Sequence, residues 1–220
     1  MLKLYHAPIS PNSRRVWVTL LEKQLEFELV EMTLNGDQFQ PEYLALNPFH
    51  HIPVLIDDGF KLIESLAILD YLEAKYPTPA MLPTDAKDLA IVRMVQMITI
   101  NELQPALTML SPIVLGFPGG DPEKIAEAKQ KAATVFTFFE SLLGDRPFFG
   151  SQNITLAEAV AGTVVPWLLG GRVFANDDYP QLSAWCDRLL ARPAWQTTDV
   201  RPETVEALKS RMIAKMARMQ

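Results

Sequence analysis

The sequence predicts a two-part fold, a small α/β domain followed by a larger, all-helical one. Three observations carry that prediction. Short elements of alternating type run from Leu2 to Lys75. A proline-rich stretch, Pro77-Thr78-Pro79-Ala80 and Pro83-Thr84-Asp85, then breaks any regular structure. Beyond it the apolar spacing is helical throughout. The predicted boundaries are residues 1–77 for the α/β domain, 78–86 for the linker and 87–220 for the helical domain.

Taken in order, Leu2 to Tyr5 alternates polar and apolar residues and reads as a strand rather than as a signal peptide. Ser13 to Lys23 reads as a helix, with Val16, Leu20 and Leu21 on one side. Phe27 to Val30 suits a second strand. Val54–Ile56 and Leu62–Ile63 suit two more, joined by a turn at Asp57-Asp58-Gly59. Ser65 to Lys75 places Leu66, Leu69 and Leu72 at helical spacing. The order is β-α-β, a bridging segment, then β-β-α. In the second part, Ile125, Ala128, Ala132, Val135, Phe139 and Leu142 fall at three- and four-residue steps, a buried stripe. Thr155-Leu156-Ala157-Glu158 is a capping box ahead of an apolar run from Ala159 to Leu169, predicted as one almost wholly buried helix. Val205, Leu208, Met212 and Met216 mark a last amphipathic helix.

Bulk properties narrow the function. The 220 residues are 49% hydrophobic and 21% charged, ordinary for a folded globular chain. A net charge of −6 gives no reason to expect nucleic acid as a partner. There is no apolar run of the roughly 18 residues a membrane span requires. The single cysteine, Cys186, excludes an intrachain disulfide, is consistent with a reducing compartment and reads as a small buried hydrophobe. The three histidines, His6, His50 and His51, have no cysteine or carboxylate at ligand spacing, so no metal is expected.

Three local signals carry chemistry. Ser10-Pro11-Asn12-Ser13-Arg14-Arg15-Val16 follows the first strand and opens the first helix. A helix start presents unpaired N–H groups and partial positive charge, which stabilise a thiolate. With serines in an S-x-x-S spacing the chain cannot perform dithiol exchange, yet a hydroxyl can donate to a ligand's thiolate. Ser10 or Ser13 also reads simply as an N-cap, and Arg14 and Arg15 as solvated helix-start residues. In the second signal, Asn47-Pro48-Phe49-His50-His51-Ile52-Pro53-Val54-Leu55, Pro53 opens a strand pattern. A proline there means an edge, a turn or a cis bond, and a cis bond would offer Ile52's backbone to an added peptide strand; taken alone, an ordinary strand entry is the better reading. The third signal is Glu64-Ser65, with Ser65 as N-cap of the next helix. Such an end binds a carboxylate and Glu64 can pair with an ammonium, together holding an amino-acid head group; a solvated cap is the alternative.

With these motifs, the chain resembles the glutathione transferase superfamily over essentially its whole length. S-P-N-S-R-R-V, N-P-F-x-x-I-P-V-L, E-S-x-A-I-x-x-Y-L, the capping box N-I-T-L-A-E-A and Y-P-Q-L-S-A-W-C-D-R-L-L-A-R-P-A-W occur in the family's order. The serine motif is most similar to the phi, theta and zeta classes and their bacterial relatives. The resemblance implies a thioredoxin-like glutathione-binding domain followed by an all-helical electrophile-binding domain. Glutathione is then the co-substrate and no metal takes part. Ser10 corresponds to the catalytic serine, with Ser13 and Arg14 in reserve. His51, Ile52, Pro53, Glu64 and Ser65 correspond to glutathione-binding positions. The first helix after the linker would supply the electrophile pocket, from residues such as Gln104, Leu107 and Met109. Family members of this kind are cytoplasmic detoxification enzymes and homodimers, and Phe49 corresponds to an aromatic interface key. The same site also suits a glutathione-dependent isomerase or dehalogenase, and the fold a non-catalytic assembly domain. The chain departs from the phi pattern at Gln38 and Phe39, where basic residues are usual, and at His50, where glycine is common.

Overall fold

A computed structural model describes residues 1–170 and 173–217, with side chains as far as residue 214. It forms two compact units. One is Met1–Leu82 together with Pro193–Asp199; the other is Pro83–Arg192 together with the chain from Val200 onward.

The first unit is built on a four-stranded sheet in the order β2-β1-β3-β4. Its strands are β1 (Leu2–His6), β2 (Phe27–Glu31), β3 (Val54–Asp57) and β4 (Phe60–Leu62). β1 pairs in parallel with β2 and antiparallel with β3, and β3 pairs antiparallel with β4. The parallel pair needs a crossover, which helix α1 (Pro11–Glu22) supplies. The β3–β4 hairpin turns on Asp58 (φ 47°) and Gly59 (φ 88°), two consecutive left-handed residues, as a two-residue type I′ turn requires. That turn sets β4 earlier than predicted, at Phe60–Leu62, because Asp57 pairs directly with Phe60.

Alternation along the strands sorts side chains to two faces. On one face the buried Asp57 accepts hydrogen bonds from Tyr71 Oη (2.8 Å) and Lys75 Nζ (2.5 Å) of α3 (Ser65–Lys75). On the other, Val54 and Tyr5 pack with Tyr43 of the short helix α2 (Pro41–Leu44) and with Met32, Leu46 and Ile52. Residues 76–82 are held by a buried cation. Lys23 Nζ pairs with Glu73 (2.5 Å) and donates to Tyr76 O and Pro79 O, while Glu73 accepts from Met81 N and Leu82 N.

The second unit is helical: α4 (Ala86–Ile98), a π-helical stretch Thr99–Leu103, α5 (Gln104–Leu115), α6 (Pro122–Leu143), α7 (Leu156–Ala161), α8 (Val165–Leu168), α9 (Pro180–Leu190) and α11 (Pro202–Ala217). The short α10 (Pro193–Thr197) belongs to the first unit. The predicted α6 stripe is present, with Ala128, Ala132, Val135 and Phe139 buried and Ile125 and Leu142 partly so. The single helix predicted after the capping box is instead two, α7 and α8, although nearly all of its residues are buried. Pro166 has no N–H to give Gly162 and falls in the first turn of α8, so the run restarts rather than continues. On α11, Val205, Leu208 and Met212 are half-buried; the Met216 side chain lies outside the described residues.

Candidate functional site

A cleft of about 300 Å³ opens in the first unit. Its walls are Ser10 and Asn12 at the start of α1, Leu34 and Gln38 of the bridging segment, the run His50 to Pro53, and Glu64 and Ser65 at the start of α3. Segments far apart in sequence meet there because β1 and β3 are sheet neighbours, so the loops leaving β1 and entering β3 share one end of the sheet.

The first wall begins at Ser10, the N-cap of α1, whose side chain accepts a long hydrogen bond from Ser13 N (3.4 Å). Pro11 occupies the first helical turn, so α1 starts two residues before the predicted Ser13. Ser13 itself is buried and its Oγ accepts from Ala7 N (3.2 Å). The two arginines are not solvated as expected. Arg14 is buried and donates to Thr198 Oγ1 (3.2 Å) and Trp195 O (3.3 Å), with Asp199 3.7 Å away. Arg15 is wholly buried and donates from Nη1 to Ser65 Oγ (3.4 Å). Burial pulls Arg15 down to about 9; it also lowers Arg14, which Asp199 partly restores. Helix α1 turns both guanidiniums inward, where hydrogen-bond partners on and just after α10 and on α3 offset part of the cost of burying them.

The second wall depends on the loop before β3. Tyr43 Oη (2.7 Å) and Asn47 Nδ2 (2.8 Å) both donate to His51 O, and Asn47 Oδ1 accepts from Phe49 N (3.0 Å). Burial pushes the Tyr43 phenol's pKa up, so it acts as a donor. This clamp fixes the backbone leading into the cis Ile52–Pro53 bond. His50 sits at φ 51°, in the left-handed region that a glycine would occupy without strain. Its ring stands 5.0 Å from Phe39 and 5.5 Å from His51, both imidazoles being exposed. Phe49, next to them, is 58% exposed.

The third wall corrects the predicted cap. Ser65 is not the N-cap of α3 but its first helical residue; Glu64 takes the cap position at φ 64° and makes no side-chain capping bond. The first N–H to bond back along the helix is that of Ile68, to Glu64 O (3.0 Å). The start of α3 therefore presents uncapped donors and partial positive charge beside the Ser65 hydroxyl. A non-glycine residue held at positive φ is a strained arrangement of the sort that gathers at ligand sites.

The structure thus brings Ser10, His51, Ile52, Pro53, Glu64 and Ser65 around one cleft, and turns Ser13 and Arg14 away from its lining. Asn12, inside the first motif but given no role there, and Leu34, with no sequence signal, join the lining. In the second unit Gln104 and Leu107 are half-buried, three residues apart on α5. Met109 is 48% exposed and lies about 140° round the helix from Gln104, so the three share no single face. Cys186 is buried on α9, where burial raises its thiol's pKa. Among the described residues, no group of three or more His, Cys, Asp or Glu is placed to hold a metal ion, and no helix is long and apolar enough to cross a membrane.

The chain is similar to known proteins over most of its length. Residues 4–80 match the glutathione S-transferase N-terminal domain family and residues 88–193 its C-terminal domain family. A glutathione S-transferase of Hyoscyamus muticus is 34% identical over 202 residues, covering 88% of this chain and 95% of that protein. Glutathione transferase F7 of Populus trichocarpa superposes with a TM-score of 0.77 at 28% identity, over 90% of this chain and 97% of that one. A glutathione transferase homologue from Sulfitobacter, solved with bound glutathione, gives a TM-score of 0.75 at 25% identity, over 90% and 96% of the two chains.

Proposed function

The chain belongs to the glutathione S-transferase family, and we propose that it conjugates the glutathione thiolate to small electrophiles, with Ser10 as the thiolate's partner. The observation that carries this reading is the convergence of Ser10, Ile52–Pro53 and Glu64–Ser65 on one cleft. Each supplies what one part of the tripeptide needs. Ser10 Oγ accepts from Ser13 N, which leaves its own proton for a sulfur brought to the mouth of α1. There the helix start adds partial positive charge, so the anionic form of the thiol is favoured. The Ile52 backbone pairs with the cysteinyl segment as an added strand. The uncapped start of α3 and the Ser65 hydroxyl take the γ-glutamyl carboxylate, and Glu64 its ammonium. His51 and Gln38 are left for the glycine end.

In this reading the first unit binds glutathione and the helical second unit, not the whole of residues 87–220 since Pro193–Asp199 belong to the first, receives the electrophile, Gln104 and Leu107 of α5 being the residues we put forward for that pocket. The active species is a homodimer keyed by Phe49. Titration calorimetry with glutathione, followed by turnover with aryl halides, isothiocyanates, peroxides and maleylacetoacetate, tests the proposal. Saturable binding with conjugation of one of the first two classes supports it, and no glutathione binding overturns it. Turnover of maleylacetoacetate alone would reassign the site to isomerisation.

A further inference from the structure

Ser65 has an unusual neighbour for a ligand-facing hydroxyl. Arg15, wholly buried on α1, donates to its Oγ from within the protein at 3.4 Å, while Ser65 lines the cleft. A serine hydroxyl has one proton and two acceptor sites. Once a cation donates into the oxygen, the hydroxyl proton is repelled from that side and is left for an acceptor on the other, which is the cleft. The polarity of the hydroxyl is thereby set before any ligand arrives, and the positive charge strengthens the outgoing bond through the chain of donors.

We propose that Arg15 is a positioning residue of the cleft: its bond into Ser65 Oγ makes that hydroxyl a one-way donor and so selects a ligand bearing an α-carboxylate at this end. The inference rests on the reading of Ser65 as the γ-glutamyl carboxylate site. It goes beyond it by assigning the selectivity to a residue that never touches the ligand. Burying a guanidinium is costly, and a folding role alone would be served by an apolar side chain of similar size. The donor geometry toward Ser65 gives the charge a use. Arg14 offers the contrast on the same helix: it donates to Trp195 O and Thr198 Oγ1 and lies beside Asp199, none of them a cleft residue.

The test compares glutathione with 4-aminobutyryl-cysteinylglycine, the same tripeptide without the α-carboxylate, by titration calorimetry. The wild-type protein is expected to prefer glutathione by roughly 10- to 100-fold, the value of a hydrogen bond to a charged group. Ser65→Ala should collapse that preference. Arg15→Met should collapse it to a similar extent while leaving affinity for the analogue within about twofold, and the double variant should lose no more than either single one, as for two members of one relay. A preference unchanged in Arg15→Met, or affinity lost equally for both ligands, overturns the role of Arg15 while leaving the Ser65 reading intact. A wild-type protein indifferent to the carboxylate overturns both. Should Arg15→Met not fold, Arg15→Gln, neutral and shorter, carries the same expectation, and a wild-type preference in it refutes the proposal.

Discussion

At the scale of single residues, two side chains make separable predictions. Ser10 caps α1 and lines the cleft, so in the proposed reading Ser10→Ala removes both a cap and the thiolate's partner. The cap is worth about 1 kcal/mol of stability. The bond to a forming thiolate is worth roughly 1.5–3 kcal/mol and strengthens as charge develops. Turnover should therefore fall by roughly 10- to 100-fold with a much smaller change in glutathione affinity. Ser13→Ala should act the other way, since its hydroxyl serves Ala7 N inside the protein: lower melting temperature, turnover largely kept. Turnover intact in Ser10→Ala and abolished in Ser13→Ala would transfer the role to Ser13. Serine spacing alone left the two open; what separates them is which hydroxyl the fold buries, and that depends on Ala7 in another segment. His6 makes a prediction about pH. Its imidazole is buried edge-on against Trp17 at 4.7 Å, neither ring nitrogen has a hydrogen-bond partner, and burial lowers its pKa to about 4. Between that value and the ordinary 6.5, the unfolded chain binds a proton that the folded chain refuses. The stability contribution is complete above pH 6.5 and is lost as pH falls to about 4, a loss of roughly 3 kcal/mol. Urea unfolding from pH 7 to 4 should show a shallower decline in His6→Leu than in the wild type, and parallel declines would refute the assignment.

At the scale of elements, the capping box shows how far local pattern reaches. Thr155 and Glu158 satisfy each other's backbone as their spacing predicts, Thr155 Oγ1 accepting from Ala157 N and Glu158 Oε2 from Thr155 N (2.9 Å). The same carboxylate also accepts from Phe149 N (2.8 Å) and Trp185 Nε1 (3.2 Å), partners that no local spacing reveals. Glu158 is fully buried, and burial raises its pKa although these donors oppose the rise. One residue thus ties α7 to the loop before it and to α9. Glu158→Ala would leave at least two buried N–H groups unsatisfied, at about 1–3 kcal/mol each. The melting temperature should fall by roughly 10 °C, given about 2–4 °C per kcal/mol in a chain of this size. Glu158→Gln, which keeps one acceptor oxygen, should lose less. A shift under about 2 °C in the alanine variant would mean water replaces the carboxylate. Strand and helix identities in this chain were legible because periods of 2 and 3.6 are local; the break between α7 and α8 was hidden inside a continuous apolar run, where hydrophobicity gives no phase and only Pro166 hints at the restart.

At the scale of the whole molecule, the order of an α/β part and a helical part follows from composition and periodicity, whereas the return of Pro193–Asp199 to the first unit does not. That segment is bonded to Arg14, a residue that as sequence reads as solvated. Assembly is where a local feature has its largest consequence. Phe49 is 58% exposed in a loop whose backbone is pinned by Asn47, through Phe49 N and His51 O, and by Tyr43. A large ring held out on a rigid loop gains roughly 1–2 kcal/mol when its exposed part is buried and loses little conformational freedom in doing so. A second copy of the chain is the partner we propose, with Phe49 as its central anchor. Phe49→Ala should then shift the protein from dimer to monomer at micromolar concentration, as read by light scattering. Since the pinned loop continues directly into His51 and Ile52 of the cleft, the released variant should also bind glutathione more weakly. A ring that serves only its own loop predicts the opposite pair of results: a lower melting temperature with unchanged mass. If the alanine variant remains a dimer, Phe49 is not the key and the interface lies elsewhere; if the wild-type protein is itself monomeric, the dimer proposal fails outright.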